Sequence, residues 1–267
     1  MSLIEEIARF ENNWPRSFAT VVDRDYGWLF YDRDNLLSHD SNHAIIFNLA
    51  ANLDAAIADV CSFYKDLGVR PRVYHGYVPG ALEILLPKLL ALGFKSETSN
   101  EQYFTWMRPS EIKPVQGFEL RRIRSVNQEV IDIIGLEDTW TLGVLKRLVA
   151  RADCHLLVGY IDGVAVALAQ IDLVNGLSRV DGVTVQPKYR SKGYGHALMH
   201  MVVQYHREIS SNVLYLYSSN PNAMRIYMKA GFTKLDWGPQ KWSAWLPEQA
   251  EVRADQGLAE DKKADSQ

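Results

Sequence analysis

The sequence predicts an α+β protein built on a mixed, mostly antiparallel central sheet flanked by helices, and three local signals carry that expectation. Asp162-Gly163 and Asn175-Gly176 each separate two β-rich runs, a strong short-range hairpin signal, so HLLVGYI, VAVALAQIDLV and LSRVDGVTV should form an antiparallel meander. A helix then joins the third strand to VLYLYS, and a helical crossover makes those two strands parallel. Asn220 caps a last helix with Pro221 in its first position, and Gly231 ends it.

The elements around this frame follow in order. FELRRIRS reads as a strand, NQEVIDIIGL and TLGVLKRLVARA as helices, and the meander comes next. In the helix after the meander, Leu198, Val202, Tyr205 and Ile209 recur at helical spacing, which predicts one buried face. TKLDW and KWSAW should close the domain as a strand pair. The first 115 residues look like a partial copy of the rest. LLPKLLALGFKSETSNEQYFTWM parallels RIYMKAGFTKLDWGPQKWSAW, each an apolar helix ending in Gly-Phe and a polar strand pair ending in tryptophan. The copy has no glycine and basic loop, and Leu89 stands where its counterpart has Tyr227. EIKPVQG is the expected linker, giving domains over 1–115 and 116–247 and a solvated, disordered tail over 248–267.

The chain has 267 residues, 47% hydrophobic, 11% aromatic and 23% charged, a globular profile with room for two domains. No run reaches the roughly 20 apolar residues of a membrane-spanning helix, and MSLIEEIARFENNW is acidic and amphipathic rather than a signal peptide, so a cytoplasmic protein is expected. Cys61 falls in an apolar helical pattern and Cys154 at a strand start, which predicts small buried hydrophobes rather than a disulfide framework or a zinc site. The net charge of −3 resides in the last 20 residues, with 6 acids against 3 bases, and the remainder balances at 26 of each sign. A balanced body predicts neither nucleic acid nor an anionic membrane as partner.

PKYRSKGYGHA, residues 187–197, stands between an apolar strand and an apolar helix. Two readings compete. As a surface turn, Gly193 and Gly195 take positive φ while Lys188, Arg190 and Lys192 solvate it. As an anion cradle, its N–H groups point at a phosphate from a helix N-terminus and the glycines let the ligand approach.

Residues 180–232 resemble the GNAT superfamily of acyl-CoA-dependent N-acetyltransferases, on two motifs. The family loop has the form Arg/Gln-x-x-Gly-x-Gly/Ala, here Arg190-Ser191-Lys192-Gly193-Tyr194-Gly195. After the next strand the family carries Asn-x-x-Ala, a tyrosine and a Gly-Phe, here Asn220, Ala223, Tyr227, Gly231 and Phe232. The resemblance implies a GNAT fold in the C-terminal domain, behind a degenerate GNAT-like half of the kind found in two-domain members. It also implies acetyl-CoA as acyl donor, a primary amine as acceptor, and no metal. The donor's pyrophosphate would lie on Arg190, Ser191, Lys192, Gly193, Tyr194, Gly195 and His196. A bulge at Gly182 would splay the strand, leaving Val183, Thr184 and Val185 to bond the pantetheine arm, which Asn220, Asn222 and Ala223 flank. Tyr227, one helical turn beyond Ala223, would return a proton to the leaving thiolate. Certain members place a glutamate on the strand before the loop. Arg179 stands at the matching position, so Asp181, on the same strand face, becomes the candidate base beside the reading of a solvated strand carboxylate.

Rival motifs fail on spacing. A dinucleotide fingerprint needs a small residue where Leu198 stands, no Walker loop occurs, and His196 with His200 lack the glutamate of HExxH, which leaves them solvated helix histidines. HDSNH, residues 39–43, reads as a polar loop or a substrate-facing one. No serine or cysteine stands in a convincing nucleophile setting, so direct attack in a ternary complex is expected. Two alternatives stand beside this enzyme: a non-catalytic acyl-CoA sensor whose first half engages a protein, and an enzyme that acylates a protein amine. Aromatics such as Trp28 or Tyr31 lining a closed pocket would favour a small amine. A homodimer is compatible with either.

Overall fold

The computed structural model describes residues 1–135 and 138–247; the tail expected over 248–267 lies outside the described residues. The first half holds α1 (Leu3–Asn13), β1 (Thr20–Asp23), β2 (Gly27–Tyr31), β3 (His43–Ile46), α2 (Leu53–Asp66), β4 (Arg72–Tyr74), α3 (Ala81–Ala91), β5 (Lys95–Asn100) and β6 (Gln102–Trp106). The second holds β7 (Phe118–Ile123), α4 (Gln128–Ile134), α5 (Thr139–Val149), β8 (Cys154–Ile161), β9 (Val164–Val174), β10 (Leu177–Val185), α6 (Tyr194–Ile209), β11 (Val213–Ser218), α7 (Pro221–Lys229), β12 (Phe232–Lys234) and β13 (Gln240–Trp245). Among the described residues no helix is long and apolar enough to cross a membrane.

The chain divides into two compact units, neither of them continuous. One comprises Met1–Asn13 and Ser99–Gln240; the other comprises Trp14–Thr98 and the stretch from Lys241. The first is built on a seven-stranded sheet in the order β12-β6-β11-β10-β9-β8-β7. The hairpins form at the expected dipeptides, where Asp162 and Gly163 have φ of 49° and 78° and Asn175 and Gly176 have 48° and 85°. Two successive positive φ angles match the right-handed twist of the flanking strands, and Asn-Gly and Asp-Gly adopt them at least cost. On one face of this sheet α6 and α7 bury Leu198, Val202 and Tyr227 against Val180, Leu214, Leu216 and Phe104. On the other, Val130 of α4 and Leu145 of α5 pack on Leu156, Val158 and Leu168.

The second unit repeats the plan in small, in the order β1-β2-β3-β4-β13-β5, with β3 and β4 parallel. The expected terminal strand pairs do not form. β12 lies in the first sheet and β13 in the second; β5 lies in the second sheet and β6 in the first. Burial explains the assignment. Tyr103, Phe104 and Thr105 of β6 are all buried, as are Trp242, Ser243 and Ala244 of β13, and a strand covered on both faces belongs at a central position. β5 is polar, and β12 is short with Thr233 and Lys234 exposed after the buried Phe232; these two take the sheet edges.

Two helix expectations also change. In α6 the buried line runs through Leu198, Val202 and His206, while Ile209 is exposed. His200, expected to be solvated, is buried; it and His206 extend the α6 interface. Cys154 is buried and Cys61 half-buried.

Candidate functional site

The feature that distinguishes the first unit is an opening in its sheet. β10 and β11 pair in parallel at Leu177 with Val213, Ser178 with Leu214 and Arg179 with Tyr215, yet β10 continues to Val185 and β11 to Ser218. On its other edge β10 keeps its register with β9 through Asp181, then shifts by one before Thr184. Gly182 and Val183 thus oppose Ala169 alone, a β-bulge that bends the strand away from β11. Gly182 sits at φ 61°, where a side chain is strained whatever the space around it. The Gln186 N–H donates to Val166 O on β9. Because N–H groups alternate along a strand, the Val185 N–H faces the side from which β11 has diverged.

β10 runs into a 3-10 turn, Pro187–Tyr189, and then into α6. The Arg190 Nε donates to Val185 O at 3.0 Å, fastening the loop to the strand end. Ser191 has φ 61° and Gly193, at the N-cap of α6, has φ 85° with no side-chain cap. The first N–H groups of α6 therefore present a bare positive helix end. Lys188 Nζ and Lys192 Nζ lie 5.2 and 5.4 Å from the Tyr189 ring centroid, adding two cations to the same loop. The Tyr194 ring stacks on Phe118 at 6.1 Å, so its side chain is committed to packing.

α7 begins beside this loop. Asn220 Oδ1 accepts from the N–H groups of Asn222 at 2.9 Å and Ala223 at 3.4 Å. Gly231 ends the segment at φ 99°, with its backbone so close to Arg108 O that a Cβ there would overlap it. A groove of about 460 Å³ gathers His196, Asn222, Ile226 and Met228 with Arg108, Glu111, Arg225 and Lys229. Burial, and then the Lys229 charge, lower the pKa of His196. The sequence reading missed these cations, which occupy no motif position.

Tyr227 lies on α7 with its ring edge-on to Phe104 and Phe232. Among the described residues its hydroxyl has no hydrogen-bond partner. Burial, and then the charge of Asp181, push its pKa up to about 12, so the phenol keeps its proton at neutral pH. The other face of the sheet carries the charges. Arg179, 2% exposed, lies 3.2 Å from Asp181 Oδ2 through Nη2 and 3.2 Å from Glu11 Oε1 through Nε. Its Nη2 also donates to the Tyr217 hydroxyl at 2.9 Å, and the Tyr215 hydroxyl donates to Glu11 at 2.9 Å. Tyr103 extends this wall, with Tyr217 and Trp237 at ring distances of 4.9 and 4.4 Å. A phenol on one face and a carboxylate on the other thus flank the stretch where β10 and β11 part. Glu11 was not singled out from the sequence; its one signal is a place on the same helical face as buried Ile7.

The second unit is closed at the corresponding place. β2 and β3 pair without a shift from Gly27 with Ile46 to Phe30 with His43, and β3 is still paired with β4 at Ile45 and Tyr74. Gly76 abuts the Ile45 side chain closely enough that a Cβ would overlap it. His39 and Asp40 of HDSNH converge on the Tyr74 hydroxyl at 2.8 and 3.1 Å, and His43 stacks on the Tyr74 ring at 4.1 Å. Trp28 packs edge-on against Phe30 and Phe47. Among the described residues no group of three or more His, Cys, Asp or Glu is placed to hold a metal.

Residues 123–232 match the acetyltransferase (GNAT) family. No curated protein matches the sequence. The fold is similar to a GCN5-related N-acetyltransferase from Kribbella flavida, at TM-score 0.66 and 17% identity, covering 93% of this chain and 97% of that one. A conserved protein of unknown function from Staphylococcus epidermidis aligns at TM-score 0.62 and 13% identity over 90% of this chain and 98% of its own. A tandem GNAT protein from the clavulanic acid biosynthesis pathway aligns at TM-score 0.53 and 12% identity over 78% of this chain and 76% of its own.

Proposed function

We propose, from the match of residues 123–232 to the acetyltransferase (GNAT) family, that the protein transfers an acyl group, in the simplest case acetyl, from acyl-CoA to a primary amine by direct attack. One observation carries the proposal: β10 and β11 part after Arg179 and Tyr215, beside a bulge at Gly182, directly upstream of a glycine and lysine loop that opens a helix. The opening suits a pantetheine arm bonded as though it were a strand, and the helix end suits its pyrophosphate.

The chemistry then divides between the faces. An amine with a pKa near 10.4 must lose a proton before it attacks, and in this reading Asp181 accepts it. As the C–N bond forms, charge grows on the thioester oxygen, toward which the Val185 N–H would be directed. The C–S bond breaks and Tyr227 gives its proton to the departing thiolate. The tyrosine must be a phenol to do so, which its raised pKa favours. The acyl group therefore passes directly from the thioester sulfur to the amine nitrogen, with no covalent enzyme intermediate.

The test is thiol release from acetyl-CoA across a panel of small primary amines and lysine-containing peptides. Release with a small amine supports the proposal, and release with peptides alone would redirect the acceptor to a protein. Coenzyme A binding without release across the whole panel would refute the enzymatic reading in favour of a sensor.

A further inference from the structure

We propose that Glu11 is a positioning residue for this reaction, acting through Arg179 to keep part of that guanidinium's attraction off Asp181; the proposal rests on Asp181 being the base. Glu11 stands on α1, a turn after Ile7, which is fully buried. Its own side chain is only 6% exposed. A carboxylate on the buried face of an amphipathic helix is costly unless paired, and Glu11 is paired twice, with the Tyr215 hydroxyl and with Arg179 Nε.

Arg179 carries one delocalised charge that both carboxylates share: Glu11 Oε1 lies 3.2 Å from Nε as an ion pair without a hydrogen bond, and Asp181 Oδ2 lies 3.2 Å from Nη2. Nη2 also donates to the Tyr217 hydroxyl. Of the three charged groups, Asp181 is the accessible one, its side chain 36% exposed against 2% for Arg179 and 6% for Glu11. The groups facing this cluster come from several elements. Asp172 and Gln170 of β9 lie across from Arg179 and Asp181, Tyr215 and Tyr217 face it from β11, and the charge of Asp181 is felt by Tyr227 of α7. With Glu11 ionised, Arg179 divides its attraction among its carboxylates. Without it, Asp181 takes a larger share of that attraction and becomes a weaker base.

The experiment is Glu11→Gln, which keeps the shape and an acceptor oxygen for Tyr215. Coenzyme A affinity should be unchanged, while thiol release with the amine selected by the panel should fall by about 10- to 100-fold. The acid limb of kcat/KM against pH should move about one unit lower, as removal of a nearby negative charge requires. In an Asp181→Asn background, Glu11→Gln should cost nothing further, since its route of action is gone. Equal losses in both backgrounds, or an unmoved acid limb, would show a merely structural carboxylate and overturn the proposal. An Asp181→Asn variant with wild-type rate would instead refute the base assignment, and the relay with it. Tyr215→Phe supplies a control that leaves every formal charge in place, because it removes only the hydroxyl that donates to Glu11. The limb should stay in place; movement as large as that in Glu11→Gln would also overturn the proposal.

Discussion

Replacing Tyr227 with Phe isolates the hydroxyl assigned as general acid. The ring contacts with Phe104 and Phe232 survive, and no hydrogen-bond partner is orphaned among the described residues. Stability should therefore change by less than about 1 kcal/mol, and coenzyme A affinity should hold. Turnover is another matter. A positioned acid contributes roughly 10²- to 10⁴-fold, equivalent to about 3–5 kcal/mol of barrier. The upper part of that range requires that thiolate protonation limit the rate. A thiol with a pKa near 8.5 leaves unassisted more readily than an alkoxide, which draws the expected loss toward the lower part. With its pKa pushed up to about 12, Tyr227 should impose no alkaline limb on the wild-type profile below about pH 11. Product release masks chemistry in steady-state turnover, so single-turnover acyl transfer is the proper assay. A Phe variant with the wild-type single-turnover rate at neutral pH would remove Tyr227 from the mechanism.

Gly193→Val should weaken coenzyme A binding at least tenfold by calorimetry: a Cβ there meets nothing within 4 Å, so the cost arises from φ 85° and the blocked approach to the α6 N-terminus. Unchanged affinity would return the loop to an ordinary turn. Calorimetry should also give one coenzyme A per chain, because the second unit is still paired where the first opens; two sites would contradict that closure. Burial lowers the pKa of His43 to about 4, so it stays neutral in the fold while the unfolded chain protonates near pH 6.5. Its contribution is complete above pH 6.5 and is lost as pH falls toward 4, roughly 2 kcal/mol at pH 5 in urea unfolding; equal stability at pH 7 and pH 5 would refute it. A fragment of residues 116–247 lacks β6 and α1, so it should show no cooperative thermal transition, and a sharp melt would be the contrary result.

What the sequence disclosed was local. The turn dipeptides, the Asn220 cap, the Gly182 bulge and the Gly193 helix start each express a backbone preference confined to a few residues, and each appears where it was read. The local geometry of the loop and of α7 was legible for the same reason, since it is set by residues close together along the chain. Strand partners are a different kind of information. TKLDW followed by KWSAW has every local mark of a hairpin, yet pairing between them depends on how much apolar surface other strands offer. β6 and β13 are each buried on both faces and so take central positions, which no window of ten residues can specify. The same limit hid Glu11, which is 168 residues from Arg179 along the chain and is recognisable only when both side chains are seen to be buried together.

The exchange of strands also ties the first half of the sequence to the opening. A strand that leaves one sheet to complete another makes the two halves of the sequence inseparable, because β6 sits between β11 and β12 in the sheet that carries the opening. β11 is the strand from which β10 diverges, so its other edge must be held if the gap is to keep a fixed width. β6 holds it through four consecutive residue pairs, from Tyr215 with Thr105 to Ser218 with Gln102. Those pairs continue beyond the last contact of β11 with β10, precluding collapse of the free part of β11 onto the bulge. The first half of the chain can thus lose its own loop and its own tyrosine position, with Leu89 in place, and still be required for the opening on which the proposed reaction depends.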